Sequence, residues 1–157
     1  MLADHGEDGS FGFIVNKPAR VRLSAISDEF GSFDTDLYLG GPVNVNNLFF
    51  VHSKGELISG SMKIIDGVFW GGDMEEIQKM ISTGKITEND IRFYVGYSGW
   101  QPQQLDKEMT ENSWIVLNGR KSHVFGAQPT QLWKKLVLTL GEEFAPWVNF
   151  PVNPSLN

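Results

Sequence analysis

Apolar and polar positions alternate in short blocks along this chain, and glycines punctuate the blocks. Phe11 to Val15 reads as a strand, opened by the turn Glu7-Asp8-Gly9 and stopped by Asn16-Lys17-Pro18. Leu23, Ile26 and Phe30 fall at helical spacing and predict a short helix from Leu23 to Phe30. Leu37 to Leu39 and Leu48 to His52 read as strands, separated by Gly40-Gly41-Pro42 and an Asn-rich loop. Asp66-Gly67, between Met62–Ile65 and Val68–Trp70, is a two-residue hairpin signal.

The clearest helix runs from Met74 to Thr83. Asp73 stands at its N-cap, Glu76 three residues on suggests a capping box, and Gly84 closes it. Ile91 to Val95 is a strand of β-branched and aromatic residues. Pro102 suits the first turn of a second helix reaching about Met109, and Trp114 to Leu117 reads as another strand. Gln131 to Leu140 is the last helix, with Leu132, Leu136 and Leu140 on one face. Pro146, Pro151 and Pro154 predict an extended arm from about Phe144, packed through Phe144 and Trp147. Clustered strands with interspersed helices point to an α+β fold, because strict βαβ alternation is missing.

Composition narrows the class. The 157 residues suit a single domain over 1–157, and 41% hydrophobic residues suit a folded core. Thirteen Lys and Arg against nineteen Asp and Glu leave a net charge of −6, which argues against whole-surface attraction to nucleic acid or anionic membrane. Cysteine is absent, which excludes disulfides, zinc–thiolate sites and a cysteine nucleophile. No signal peptide opens the chain and no apolar run is long enough to span a bilayer, so a cytoplasmic protein is expected.

Candidate chemistry is sparse. His5, His52 and His123 are scattered, and Asp4-His5 with Glu7-Asp8 reads as a solvated acidic turn, so no metal and no cofactor is expected. Gly9-Ser10-Phe11-Gly12 opens a strand and lacks a following Gly-Lys-Ser/Thr. At Gly71-Gly72-Asp73 a helix does follow, but Asp73 would repel an anion there. Lys17, Arg20 and Arg22, then Arg120-Lys121 and Lys134-Lys135, are short basic clusters without a recognition helix, so no direct nucleic-acid contact is expected. Gly96-Tyr97-Ser98-Gly99-Trp100 approaches a nucleophile elbow, but Trp100 stands where Gly-x-Ser-x-Gly requires glycine.

One local pattern recurs. Tyr38-Leu39-Gly40, Phe69-Trp70-Gly71 and Tyr94-Val95-Gly96 each close a strand as aromatic, apolar, glycine. If those ends meet, they form a glycine-rich rim. Its candidate binding residues are Gly40, Gly41, Gly71, Gly72, Asp73, Ser98, Trp100 and Gln104. The stretch from Gly96 to Glu108 is read first as an architectural turn that swings Trp100 into the core. The alternative sets Trp100, Ser98 and Gln104 around a ligand.

Asp4-His5, Gly9 through Pro18, Tyr38 through Val43, Gly71-Gly72-Asp73 and Gly96 through Trp100 together resemble the YqgE/AlgH family. Gln104-Leu105, Glu108, Asn112-Ser113-Trp114 and Leu132-Trp133 extend the resemblance over nearly the whole chain. The resemblance implies a bifurcated mixed sheet curled into a pseudo-barrel with flanking helices. It implies no established activity; transcriptional regulator is the label usually attached to the family, drawn from a member linked to alginate production. It also implies a further segment ahead of Asp4-His5, with Met1-Leu2-Ala3 as the end of its strand. Without such a segment, an edge of the sheet would lack a partner. The function expected is a non-catalytic regulatory protein that binds a partner or small ligand. The alternative is a hydrolase or transferase using polar groups near Ser98 and Asp73.

Overall fold

The computed structural model describes residues 1–126 and 128–149. Eight strands form one mixed sheet: β1 (Leu2–Gly6), β2 (Gly9–Gly12), β3 (Pro18–Arg22), β4 (Asp36–Leu39), β5 (Val43–His52), β6 (Met62–Ile65), β7 (Val68–Trp70) and β8 (Ile91–Trp100). Among the described residues, four α-helices accompany it: α1 (Met74–Ser82), α2 (Gln104–Thr110), α3 (Lys121–Phe125) and α4 (Leu132–Val137). The strand order is β1-β2-β8-β5-β7-β6, and β1 and β6 at its two ends come into contact. The sheet is therefore nearly closed and barrel-like, as expected.

Strand β8 is where the sheet divides. One side pairs antiparallel with β5 along most of its length, from Ile91 opposite His52 to Tyr97 opposite Val43. On the other side, Phe93–Val95 pair in parallel with Leu37–Leu39 of β4. Beyond Gly96 that same side passes to β2, with Ser98 opposite Gly12 and Trp100 opposite Ser10. Gly96 at the changeover has φ +70°, and a Cβ there would lie 2.5 Å from the Gly41 carbonyl oxygen. That combination requires glycine.

Both faces of the first half of β8, from Ile91 to Tyr94, are buried, which explains its apolar and aromatic residues. Ile91 and Phe93 join Leu37, Phe50, Ile58, Ile77 and Ile81 in the layer beneath α1. Tyr94 on the opposite face joins Phe13, Tyr38, Val51 and Val68, with Val124 and Phe125 of α3. Helix α1 forms as its pattern predicts, with Ile77 and Ile81 inward and the Asp73 carboxylate accepting the Glu76 N–H at 3.0 Å. The capping box is only half made. Glu76 turns away and accepts from the Ser59 N–H at 2.7 Å.

Several expectations need correction. Leu23 to Phe30 yields only a 3₁₀ turn, Leu23–Ala25, since Leu23 and Phe30 are buried while Ile26 is 49% exposed. Strand β5 begins five residues earlier than expected, through a bulge between Val43 and Leu48. Trp114 to Leu117 forms no strand, and all four side chains are exposed. The last helix covers only Leu132–Val137 of the expected span. From Glu142 to Asn149 the chain winds as a 3₁₀ helix instead of an extended arm, although Phe144 and Trp147 do pack edge to face at 5.3 Å. Pro151 and Pro154 lie outside the described residues. Among the described residues, no helix is long and apolar enough to cross a membrane.

Candidate functional site

The curl of the sheet brings together aromatic residues from strands that are not neighbours. Phe11 on β2 meets Trp70 on β7 with ring centroids 4.7 Å apart, although β8 and β5 lie between them in the sheet. Phe11 also meets Tyr97 edge to face at 6.0 Å, and Tyr97 meets Phe49 at 5.5 Å. Directly opposite Phe11 on β8 stands Gly99, which contributes no side chain. The result is a cleft of about 580 Å³. It is lined by Phe11, Phe13, Phe49, Trp70, Tyr97 and Trp100, with Asp4, Asp8, Ser10, Asn44 and Gln101 among its polar groups. Its size falls within the range typical of small-molecule sites.

Beside the cleft, the β1–β2 hairpin carries a polar row. His5 and Ser10 are cross-strand partners, and His5 Nδ1 lies 2.7 Å from Ser10 Oγ. His5 Nε2 faces Asp106 Oδ1 at 3.5 Å. These groups border a second hollow of about 490 Å³, lined by His5, Gly6, Glu7, Gln103 and Asp106. Cross-strand pairing around the turn at Glu7-Asp8 is the signal that would have joined His5 to Ser10 from sequence.

Trp100 is not in the core. It is half-buried at the edge of the cleft, inside strand β8, so the Gly96–Trp100 stretch is strand and not turn. Its ring packs edge to face on Trp114 at 5.8 Å. Its indole N–H donates to Glu108 Oε2 at 3.1 Å, and Trp114 donates to the same oxygen at 2.7 Å. Gln104 supplies a third bond, from Nε2 to Glu108 Oε1 at 2.8 Å. The Trp114 bond, then the one from Gln104, holds the Glu108 carboxyl below its usual range. In the sequence Glu108 stands out only through the family pattern. A tryptophan eight residues before it and another six after were the available sign.

The remaining rim candidates divide into two places. Gly40 and Gly41 press on β8: a Cβ on Gly40 would collide with the Gly96 carbonyl, and one on Gly41 with the Tyr97–Ser98 backbone. Ser98 belongs there too and donates its hydroxyl to the Gly40 carbonyl at 3.2 Å. Gly71 lies elsewhere, since its N–H bonds to the Phe50 carbonyl, and Phe50 is level with Phe93. Only two of the three glycine-ended strands therefore meet. Gly71 instead meets His52, while Gly72 packs on Ile58 and Ser61 and the Asp73 N–H bonds to the Ser59 carbonyl. His52 Nε2 lies 3.1 Å from the Gly71 carbonyl and 3.0 Å from Ser61 Oγ, while Nδ1 accepts from the Lys54 N–H at 3.2 Å. Burial holds His52 below the usual histidine range, against the raising effect of the Gly71 bond. It is a neutral imidazole that ties β5 to the turn after β7. Among the described residues, no group of three His, Asp or Glu side chains converges as a metal site would require.

Comparison with known proteins places this architecture in context. A family model described as AlgH-like matches residues 1–145. A UPF0301 protein of Chlorobium limicola is 38% identical over 157 residues, covering all of this chain and 84% of the relative. A UPF0301 protein of Chlorobaculum tepidum is 36% identical with the same coverage. The solution structure of AlgH from Pseudomonas aeruginosa superposes with a TM-score of 0.73 at 21% identity, over 97% of this chain and 83% of that one. A crystal structure of a Corynebacterium diphtheriae protein gives 0.74 at 20% identity, over 96% and 81%. At those identities the two structures speak for the fold alone.

Proposed function

The chain belongs to the AlgH-like family, and from that premise we propose that it is a non-catalytic cytoplasmic protein that receives a small ligand in its aromatic cleft and acts in a regulatory role. One observation carries the reading. Five partly exposed aromatic side chains, with Phe13 buried behind them, line a single cleft bordered by a few polar groups. Folding ordinarily hides such surface, and leaving it in a concavity favours a bound occupant. The test is a fragment titration followed through the indole N–H resonances of Trp70 and Trp100. Ligands that move both, and that lose binding in a folded Trp100→Ala variant, support the cleft. A fragment set that moves neither removes it. No sub-micromolar, salt-sensitive binding to DNA is expected in a gel-shift or anisotropy titration.

A hydrolase is the second reading, and the row Ser10, His5, Asp106 is the observation in its favour. Its nitrogen order is reversed relative to a Ser-His-Asp triad: serine meets Nδ1 and aspartate faces Nε2. His5 and Asp106 are 46% and 62% exposed, so nothing excludes water there. Ser98 and Asp73 are a weaker basis, with one hydroxyl given to Gly40 and one carboxylate to the α1 cap. Covalent labelling of Ser10 by a fluorophosphonate, abolished in His5→Ala, would favour the enzyme.

A further inference from the structure

The charge of the cleft specifies its occupant more closely. Two carboxylates, Asp4 and Asp8, stand among its lining residues, and no Lys, Arg or His side chain does. The protein as a whole carries a net charge of −6. An anion would meet repulsion from both sources, with no cationic side chain in the lining to hold it. The aromatic rings add the same preference. Phe11 stands at 73° to Trp70 and 81° to Tyr97, and Tyr97 at 80° to Phe49. These rings touch one another edge to face, so together they line one wall of the cleft and leave only their outer surfaces to an occupant. The face of each carries the negative side of its quadrupole. An aromatic wall with acidic groups at hand attracts alkylated ammonium groups, whose positive charge is spread over weakly hydrated methyls.

We propose that the cleft between β2, β5, β7 and β8 binds a small organic cation carrying a methylated or quaternary ammonium group. The ammonium sits against Trp70, Tyr97 and Phe11, and Asp4 and Asp8 supply the counter-charge. This assignment rests on the aromatic cleft being a ligand site, and it goes further by naming the ligand's chemistry. A free small molecule fits better than a tethered side chain, because a cleft of about 580 Å³ holds a whole ligand of that size.

The test uses the full chain and three probes: choline, its uncharged carbon isostere 3,3-dimethylbutan-1-ol, and a peptide containing trimethyllysine. Binding is read from the Trp70 and Trp100 indole resonances. Choline is expected to bind at least ten-fold more tightly than the isostere. Asp4→Asn and Asp8→Asn, both at exposed positions, should each weaken choline several-fold and leave the isostere unchanged. Trp70→Leu should weaken both. Equal binding of choline and the isostere would overturn the cation while leaving the cleft as a ligand site. No response to either, with a response to neutral fragments such as indole or cyclohexanol, would do the same. No response to any probe would overturn both the cation and the cleft. A trimethyllysine peptide binding ten-fold more tightly than choline would overturn the small-molecule assignment in favour of a protein partner.

Discussion

Glu108 accepts the indole N–H of Trp100 at 3.1 Å, across the junction between the end of β8 and helix α2. The same oxygen holds Trp114, so one carboxylate ties a second large ring to Trp100 at the border of the cleft. The folded carboxyl is depressed, so its contribution is present above the usual glutamate range and is lost as pH falls through the folded value. Tryptophan emission should therefore stay constant from neutral pH to about pH 5 and shift below it. Glu108→Gln should abolish most of that acid-dependent shift. Identical profiles for the two proteins would refute the link.

Trp100→Ala should fold. Its ring is half-buried, so the loss should be roughly 1–2 kcal/mol, less than the cost of emptying a full core position. Urea unfolding measures this directly, and a cost above about 4 kcal/mol would return Trp100 to the core.

Gly40→Ala and Gly41→Ala should each cost about 1–3 kcal/mol or more, because the added carbon meets the β8 backbone, which has no room to retreat. Gly6→Ala is the control. Nothing lies within 4 Å of its added carbon, so its effect should stay within about 0.5 kcal/mol. Thermal melts of the three variants provide the comparison.

His52 is buried as the neutral imidazole, and burial lowers its folded pKa below the ordinary 6.5. The unfolded chain therefore takes up the proton first. Stability should be steady above that ordinary value and should decline as pH falls toward the folded one, by at most about 1.4 kcal/mol per pH unit. Urea midpoints at pH 7.5 and 5.5 should differ in the natural protein. They should differ less in His52→Gln, which keeps a side-chain N–H and cannot titrate.

Asp90 gathers Lys54 Nζ at 2.9 Å, Ser53 Oγ at 3.0 Å and the Thr87 N–H at 3.0 Å. Burial opposes its ionisation, but these partners outweigh burial and hold its carboxyl well below the usual range. Asp90→Asn should cost about 1.5–3 kcal/mol at neutral pH. The difference from the natural protein should shrink as pH drops below the ordinary aspartate value. A gap that stays constant into acid would show that charge is not its source.

What could be read from the chain follows the range of the forces involved. The Asp66-Gly67 hairpin and the Asp73-capped helix are local, and both formed as their residues indicated. Trp114 to Leu117 has the residues of a strand, yet it lies exposed and unpaired, because pairing depends on a neighbour that no local pattern specifies. The glycine endings correctly placed Gly40 against Gly96, but Gly71 stops level with Phe93, and that offset is set by the register of β5. Trp100 and Gln104 are legible as candidates in the sequence, and Trp100 does border the cleft. Phe11, Phe49, Trp70 and Tyr97 are not legible as a site, since their convergence depends on the curl of the whole sheet.

The position of β8 also has a meaning in time. Strands β2, β4 and β5 all leave the ribosome before the strand that joins them, which begins only at Ile91. Until Trp100 has been synthesised, the nascent chain can close local hairpins such as β1 with β2 and β6 with β7, but not the sheet. Sheet assembly is thus late and rests on distant partners, the condition under which folding is slow and open strand edges invite self-association. Slowing translation just before Ile91 would lengthen that exposure, whereas speeding synthesis of β8 would shorten it.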